Sequence, residues 1–261
     1  MSVVSDIREI ASFRELIVAL GMREVRVRYK HTLLGIGWAV ALPLSLMLVF
    51  TFVFSKVARV ETHGVPYPVF AYLGLLPWQL HANIINQGAR SLVDNRALVT
   101  KVYFAREVLP LSAVLSALVD FCVASVVLAG LMLYYGMAPG IGLLLVPVVV
   151  LVQLAFGVGC ALALSAANLL YRDVQYILQV GVLLWMFASS VVYPIPRTGD
   201  FLWLVYCNPM TPILDAYRGL IVGGKVAFAP EFGVAALVSV LVLVVAWRWF
   251  RRVERVFGEL A

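Results

Sequence analysis

Asp120 asks most of the chemistry, because it lies near the middle of an apolar run at 108–135. A carboxylate at that depth in hydrocarbon is costly; it marks an ion or proton pathway, or else a hydrogen bond to a neighbouring helix. The sequence offers no intramembrane base as its partner, so both readings stay open. Asp94, Glu107, Asp173 and Asp215 are separated and fall on different sides of the expected spans, so no nucleophile–base pair can be assembled from them. The segment GLIVGGKV at 219–226 fits the phosphate-loop spacing G-x-x-x-x-G-K, but Val226 stands where a hydroxyl should hold Mg²⁺, and no strand precedes it. His31, His63 and His81 share no ligand spacing, and Cys122, Cys160 and Cys207 form no framework, so neither a metal site nor a catalytic residue is expected. Arg26, Arg28 and Lys30, with Tyr29 among them, crowd against some twenty uncharged residues that begin soon after.

The elements that position these residues follow from composition. Of 261 residues, 63% are hydrophobic and 13% charged, with mean hydropathy +0.97. Soluble domains run near 45–50% apolar and about 25% charged. The pattern is that of an all-α integral membrane protein forming a single domain. A net charge of +6 suits nucleic acid only where the cations form a solvated face; here they cluster beside apolar spans, and no nucleic-acid partner is expected. The first thirty residues hold six Lys/Arg and four acids and lack the short apolar core of a cleavable signal, so the first span is expected to stay in the mature protein.

A hydrocarbon core of about 30 Å takes roughly twenty helical residues. Six transmembrane helices fit at 33–55, 67–87, 108–135, 141–168, 176–194 and 232–249, the last completed by Trp247 and Trp249 at an interface. The second carries Pro77, Gln79, His81, Asn83 and Asn86, so it must face protein or water along part of its length. Segments on one side (1–32, 88–107, 169–175 and 248–261) hold fifteen Lys/Arg against five on the other, which places both termini in the cytoplasm, with a tail at 250–261.

Within 1–32, Phe13, Leu16, Ile17, Leu20 and Val27 share one side of a helical wheel while Arg14, Arg26 and Lys30 lie off it, predicting an amphipathic interface helix. VRVRYK also alternates with period two, but a lone strand there would lack a partner. In 90–110, Leu92, Val99, Val102 and Tyr103 share a helical face and Asp94, Lys101 and Arg106 remain for solvent, predicting a short cytoplasmic helix with an apolar side. Arg172 and Asp173 occupy a tight turn on the same side. In the fourth span, small residues form rows at Ala155, Gly159, Ala163 and Ala167 and at Gly157, Ala161 and Ser165, which allow close backbone approach within or between subunits. Breakers in 195–231 leave Phe201–Tyr206 and Ile213–Val222 too short to span, so external re-entrant half-helices are expected before the last span. Towards the outer side lie Phe70, Tyr72, Trp78, Trp185, Phe187 and Tyr193, either an interfacial belt or the lining of a path along which sugar rings stack.

The segments VRYKHTLLGIGWAVALPL, GVPYPVFAYLGLLPWQL, LVTKVYFAREVLPL, NLLYRDVQYILQ and YPIP…NPMTPILDAYRGLI resemble, in order and spacing, the permease subunits of bacterial ABC exporters of cell-surface polysaccharides, over about 13–225. That group moves O-antigen, teichoic acid and capsule; the resemblance is strongest towards the O-antigen and teichoic-acid type, an O-antigen-like cargo is expected, and the capsule type is not separated from it. The resemblance implies a dimer of this chain, two ATP-binding cassette subunits that carry ATP and Mg, no cofactor on this chain, a bacterial cytoplasmic (inner) membrane location, and a lipid-linked polysaccharide as cargo. It also implies head-group contact near Arg26, Arg28, Tyr29 and Lys30. A coupling helix drawn from Leu92, Asp94, Arg96, Val99, Lys101, Val102 and Tyr103 would meet the ATPase, with Arg172 and Asp173 as a second contact, and the aromatic residues would line the path. A drug or lipid exporter of the same superfamily would share the coupling but not the cargo. A membrane enzyme acting on lipid-linked sugars would need the catalytic cluster that is missing.

Overall fold

The structure, a computed structural model, describes residues 3–30, 32–58, 60, 62, 64–102, 104–171, 173–195, 202–223 and 228–254. All regular elements among them are helical: α1 (Val3–Ser12), α2 (Arg14–Tyr29), α3 (Trp38–Phe50), α4 (Tyr67–Asp94), α5 (Arg96–Lys101), α6 (Val108–Tyr134), α7 (Val146–Leu170), α8 (Val174–Phe187), α9 (Leu202–Cys207), α10 (Met210–Ile221) and α11 (Pro230–Val253). Four stretches are long and apolar enough to cross a membrane: Gly35–Ser55, Val108–Tyr134, Ile141–Leu170 and Pro230–Val253. Their outward faces expose Leu48, Phe52, Val126, Leu133, Leu151 and Leu241. Such a surface suits a lipid solvent rather than water.

The central helix is α4, and it is less apolar than the four because it is sheathed by protein. It packs against α3, α6, α7, α8 and α10. Between Val69 and Leu92, the positions left unburied are Gln79, Asn83, Asn86, Gln87 and Arg90, all polar and on one stripe. Small residues set the packing distance. A Cβ on Gly88 would lie 2.5 Å from that of Ala161, and one on Gly159 would lie 2.9 Å from the Leu243 backbone. The two rows of small residues therefore serve different neighbours, α4 for one and α11 for the other. Where Pro77 interrupts the α4 ladder, Gln153 of α7 donates to the Pro77 carbonyl (2.6 Å) and accepts from Tyr217 of α10 (2.8 Å). This fully buried amide joins three helices.

Two elements differ from the sequence expectation. α4 does not stop at 87; it runs through Asp94, so the short helix expected to follow it shrinks to the six residues of α5. Gly88, the one breaker in that stretch, is held in the helix by its seat on Ala161. The helix expected over 176–194 ends at Phe187. Beyond it the backbone is drawn off to bind elsewhere: Asn208 donates to the Ala188 carbonyl (3.1 Å), Arg218 to the Ser190 and Val191 carbonyls, and Tyr67 to the Val192 carbonyl (2.7 Å). At 1.5 Å per residue, the fourteen residues of α8 reach only about 21 Å.

The first and last described helices meet at one end of the bundle. Arg251 of α11 pairs with Glu9 of α1 (3.4 Å) and with Glu107 at the start of α6, while Arg106 pairs with Glu254 (3.6 Å). Glu107 is 1% exposed and also accepts from the Trp247 indole (3.3 Å). Burial pushes its carboxyl above the ordinary glutamate range, and Arg251 opposes that shift.

Candidate functional site

The site begins with the register of α2 on α6. Gly21 allows the approach, since a Cβ there would lie 3.0 Å from the Ser112 carbonyl oxygen. From that contact the two helices climb together. Ser112 donates to Glu24 (3.4 Å), and one turn on, Arg28 meets Ser116 (3.1 Å) and Asp120. Gly21, Val25 and Arg28 thus share the inward face at spacings of four and three, whereas Val27 is 68% exposed. Asp120 lies about 18 Å along α6 from its first residue, so α2 reaches well past the start of that span.

The Arg28 guanidinium is shared among three helices. It pairs with Asp120 Oδ2 and donates to Gln87 Oε1 of α4 (2.6 Å) and to Ser116 Oγ. Tyr29 donates its hydroxyl to Asp120 Oδ1 (2.8 Å). Burial, with the neighbouring Asp120 carboxylate, pushes the Tyr29 hydroxyl up to about 12, so it keeps its proton at neutral pH. Burial also raises Glu24 above the usual carboxylate range, against the pull of Ser112 and Arg28. Asp120 therefore has a charged partner, supplied by the interface segment rather than by another span.

Two cavities meet at this cluster, both having Arg28 and Gln87 in their walls. One, about 630 Å³, lies between α2 and the end of α4, beside Arg23, Glu24, Asn86, Arg90 and Ser112. The other, about 330 Å³, continues between α3, α4 and α6, beside Trp38, Gln79, Asn83 and Asp120. Arg26 and Lys30 stay exposed on the opposite side of α2.

The remaining candidates separate by burial. Leu92 and Val99 face inward, packed with Phe104, Val108, Leu169 and Phe250, while Asp94, Arg96, Lys101 and Val102 are exposed. Asp173 is exposed at the start of α8; Tyr103 and Arg172 lie outside the described residues. Phe70, Tyr72 and Trp78 are buried: Phe70 lies under Arg218 (3.8 Å from ring centroid to guanidinium carbon), and Tyr72 donates to the Ala124 carbonyl (3.0 Å). Trp185 joins Trp78, His81 and Phe156 in a packed cluster and donates to Asn208 (2.9 Å). Phe187 is 41% exposed, and Trp185 and Tyr193 are both half-buried. Among the described residues, no three His, Cys, Asp or Glu side chains are grouped to hold a metal. The structure adds Glu24, Gln87, Arg90 and Ser116 to the site. For Gln87 and Arg90, the sequence signal is helical spacing: Gln87 follows Asn83 by four residues, and Arg90 follows Asn86 by four and Gln87 by three.

Apolar helices packed around a polar-striped central helix, with α2 laid along α6, make up a membrane domain. The chain belongs to the ABC-2 type transporter family, which matches residues 15–222. It is 33% identical over 257 residues to the O-antigen export system permease protein RfbA of Myxococcus xanthus, covering 97% of this chain and 98% of that protein. It is 28% identical to the protein of the same name from Klebsiella pneumoniae, covering 94% and 95%. To the polysialic acid transport protein KpsM of Escherichia coli it is 22% identical, covering 90% and 92%.

Proposed function

We propose that this chain is the membrane subunit of an exporter that moves a lipid-linked, O-antigen-like polysaccharide across the bacterial cytoplasmic membrane, driven by ATP hydrolysis on separate subunits. The observation that carries the reading is the 33% identity to an O-antigen export permease over nearly the full length of both chains. Family membership supports a pair of these chains joined to two ATPase subunits, with ATP and Mg bound there. Six crossings follow if α4 and the α8 segment join the four apolar helices, and the Glu9–Arg251 pair supports an even number because it brings both ends together. The cation bias puts that end in the cytoplasm.

The roles divide along that axis. Arg26, Arg28, Tyr29 and Lys30 draw an anionic head group to α2. The exposed Asp94, Arg96, Lys101 and Val102, with Asp173, face the ATPase, and Leu92 and Val99 seat the loop from behind. Phe187 and Tyr193 are the aromatic residues placed to meet a passing glycan, while the Trp78–Trp185 cluster supports the wall behind them. A capsular cargo is the second reading, favoured by the match to the polysialic acid protein but at lower identity.

Deleting the gene is expected to remove the long surface glycan and trap lipid-linked polymer inside, as read by surface-glycan electrophoresis and cell fractionation. An unchanged surface overturns the function. The purified chain alone is expected to hydrolyse no ATP, and the double variant Arg96→Glu/Lys101→Glu should lower ATP turnover of the assembled complex by about tenfold through weakened docking. Appreciable turnover by the chain alone would refute the division of labour.

A further inference from the structure

Between Val69 and Leu92, α4 is buried on every side except along one line, and that line is mostly amides. Gln79, Asn83, Asn86 and Gln87 recur at helical spacing, followed by Arg90, and they open into the two cavities that meet at Arg28. Amide side chains facing hydrocarbon would forfeit their hydrogen bonds, so this line must face water, protein or a polar ligand. Amides offer donors and an acceptor on one short arm, which suits the paired hydroxyls of a sugar ring. The groove is polar along α4 and apolar on the opposing α3 wall, where Trp38, Leu42 and Pro43 lie. One cationic group, Arg28, stands where the cavities join.

We infer that this groove seats the phosphate-bearing end of a glycan lipid, with the first sugars along Gln79, Asn83 and Gln87 and the diphosphate on Arg28 in exchange for Asp120. The inference rests on the proposed export function and names the place and manner of cargo binding. Exchange is chemically balanced: the guanidinium leaves one oxyanion for another, and Asp120 keeps the Tyr29 hydroxyl. Arg28 is the accessible member, its side chain 32% exposed against 8% for Asp120, so an incoming anion meets the cation first. Releasing Asp120 loosens α2 from α6 and Gln87, which links cargo arrival to movement of the interface helix.

The test measures binding to the full chain with its ATPase subunits in lipid nanodiscs. Four probes are compared: a polyisoprenyl diphosphate bearing a disaccharide, the same lipid diphosphate without sugar, the free disaccharide, and inorganic pyrophosphate. Asn83→Leu is expected to weaken the glycan lipid by about tenfold while leaving the sugar-free lipid within about twofold, the loss of a buried polar contact. Asp120→Asn removes the competing anion and should tighten both lipids at least about threefold; Tyr29→Phe makes Asp120 depend more on Arg28 and should weaken both. A merely structural role moves neither affinity in these opposed directions. The inference is overturned if Asn83→Leu binds the glycan lipid like the wild type, or if Asp120→Asn and Tyr29→Phe shift affinity the same way. It is also overturned if pyrophosphate alone binds as tightly as the glycan lipid, which would make the site one for a free anion. Gene deletion separates the failures: trapped polymer with unaltered binding in the variants removes only the groove, whereas an untouched surface removes the export reading.

Discussion

Arg28→Met is expected to destabilise the protein by about 2 kcal/mol in thermal or denaturant unfolding, and to do so more than Asp120→Leu does. Removing one partner of a fully buried ion pair costs about 3–5 kcal/mol, because the other charge is stranded. Here the two strandings are unequal. An Arg28 left alone is 32% exposed and turns its long side chain to water, whereas Asp120 is 8% exposed and keeps only the Tyr29 hydroxyl and its local neighbours. The double variant Arg28→Met/Asp120→Leu should recover much of the loss, since an apolar pair of similar volume replaces a buried ion pair at little cost. If Asp120→Leu proves the more harmful single change, the carboxylate has a role that its contacts with Arg28 and Tyr29 do not describe.

The second large effect is expected at Gly74→Ala, by about 3 kcal/mol. A Cβ on this α4 residue would overlap the Val191 carbonyl oxygen and the Arg218 guanidinium, the groups that hold the segment after α8 against the central helix. Neither can give way easily. Val191 is buried backbone, and Arg218 is tied to the Ser190 carbonyl, to Asp215 (3.5 Å) and to the Phe70 ring. Overpacking of this kind typically costs about 1–3 kcal/mol and reaches the upper end where backbone must move. Gly130→Ala on α6 is the control, because a Cβ there meets nothing within 4 Å and alanine is the better helix former by about 1 kcal/mol. Thermal unfolding should separate the two by sign; equal behaviour would mean that the outer segment does not depend on this contact.

Much of the helical plan is legible from residue patterns. Long apolar runs predict the stretches Gly35–Ser55, Val108–Tyr134, Ile141–Leu170 and Pro230–Val253 to within a few residues, since hydrocarbon thickness dictates their length. A helix over this first segment is predicted too, and Phe13, Leu16, Ile17 and Leu20 pack inward as the wheel requires, whereas Val27, placed on the same side, is exposed. What periodicity does not carry is the shift of the contact line from Leu20 to Gly21. That shift follows from a backbone approach to Ser112, a tertiary fact, and it is what turns Arg28 from a surface cation into the partner of Asp120. The end of α8 is hidden for a similar reason, because the groups that take its last carbonyls lie twenty or more residues ahead, at Asn208 and Arg218. The aromatic residues show a third kind of limit. Phe70, Tyr72 and Trp78 have the composition of a sugar-stacking path or a membrane belt, and only packing distinguishes either from a core.

The pairing of Glu9 with Arg251 spans 242 residues of chain, and that separation has a consequence in time. Synthesis proceeds at roughly 5–20 residues per second, so the first helix waits roughly 12–50 seconds before its partner leaves the ribosome. During that interval α1 has the apolar contacts of Ile10 with the cluster around Leu92 and Leu109 to hold it. The charge cluster around Glu107 therefore closes last, and a chain cut short before Arg251 leaves that carboxylate buried without its cation. The pair thus ties the first described helix to the last, and it forms only once α11 is in place.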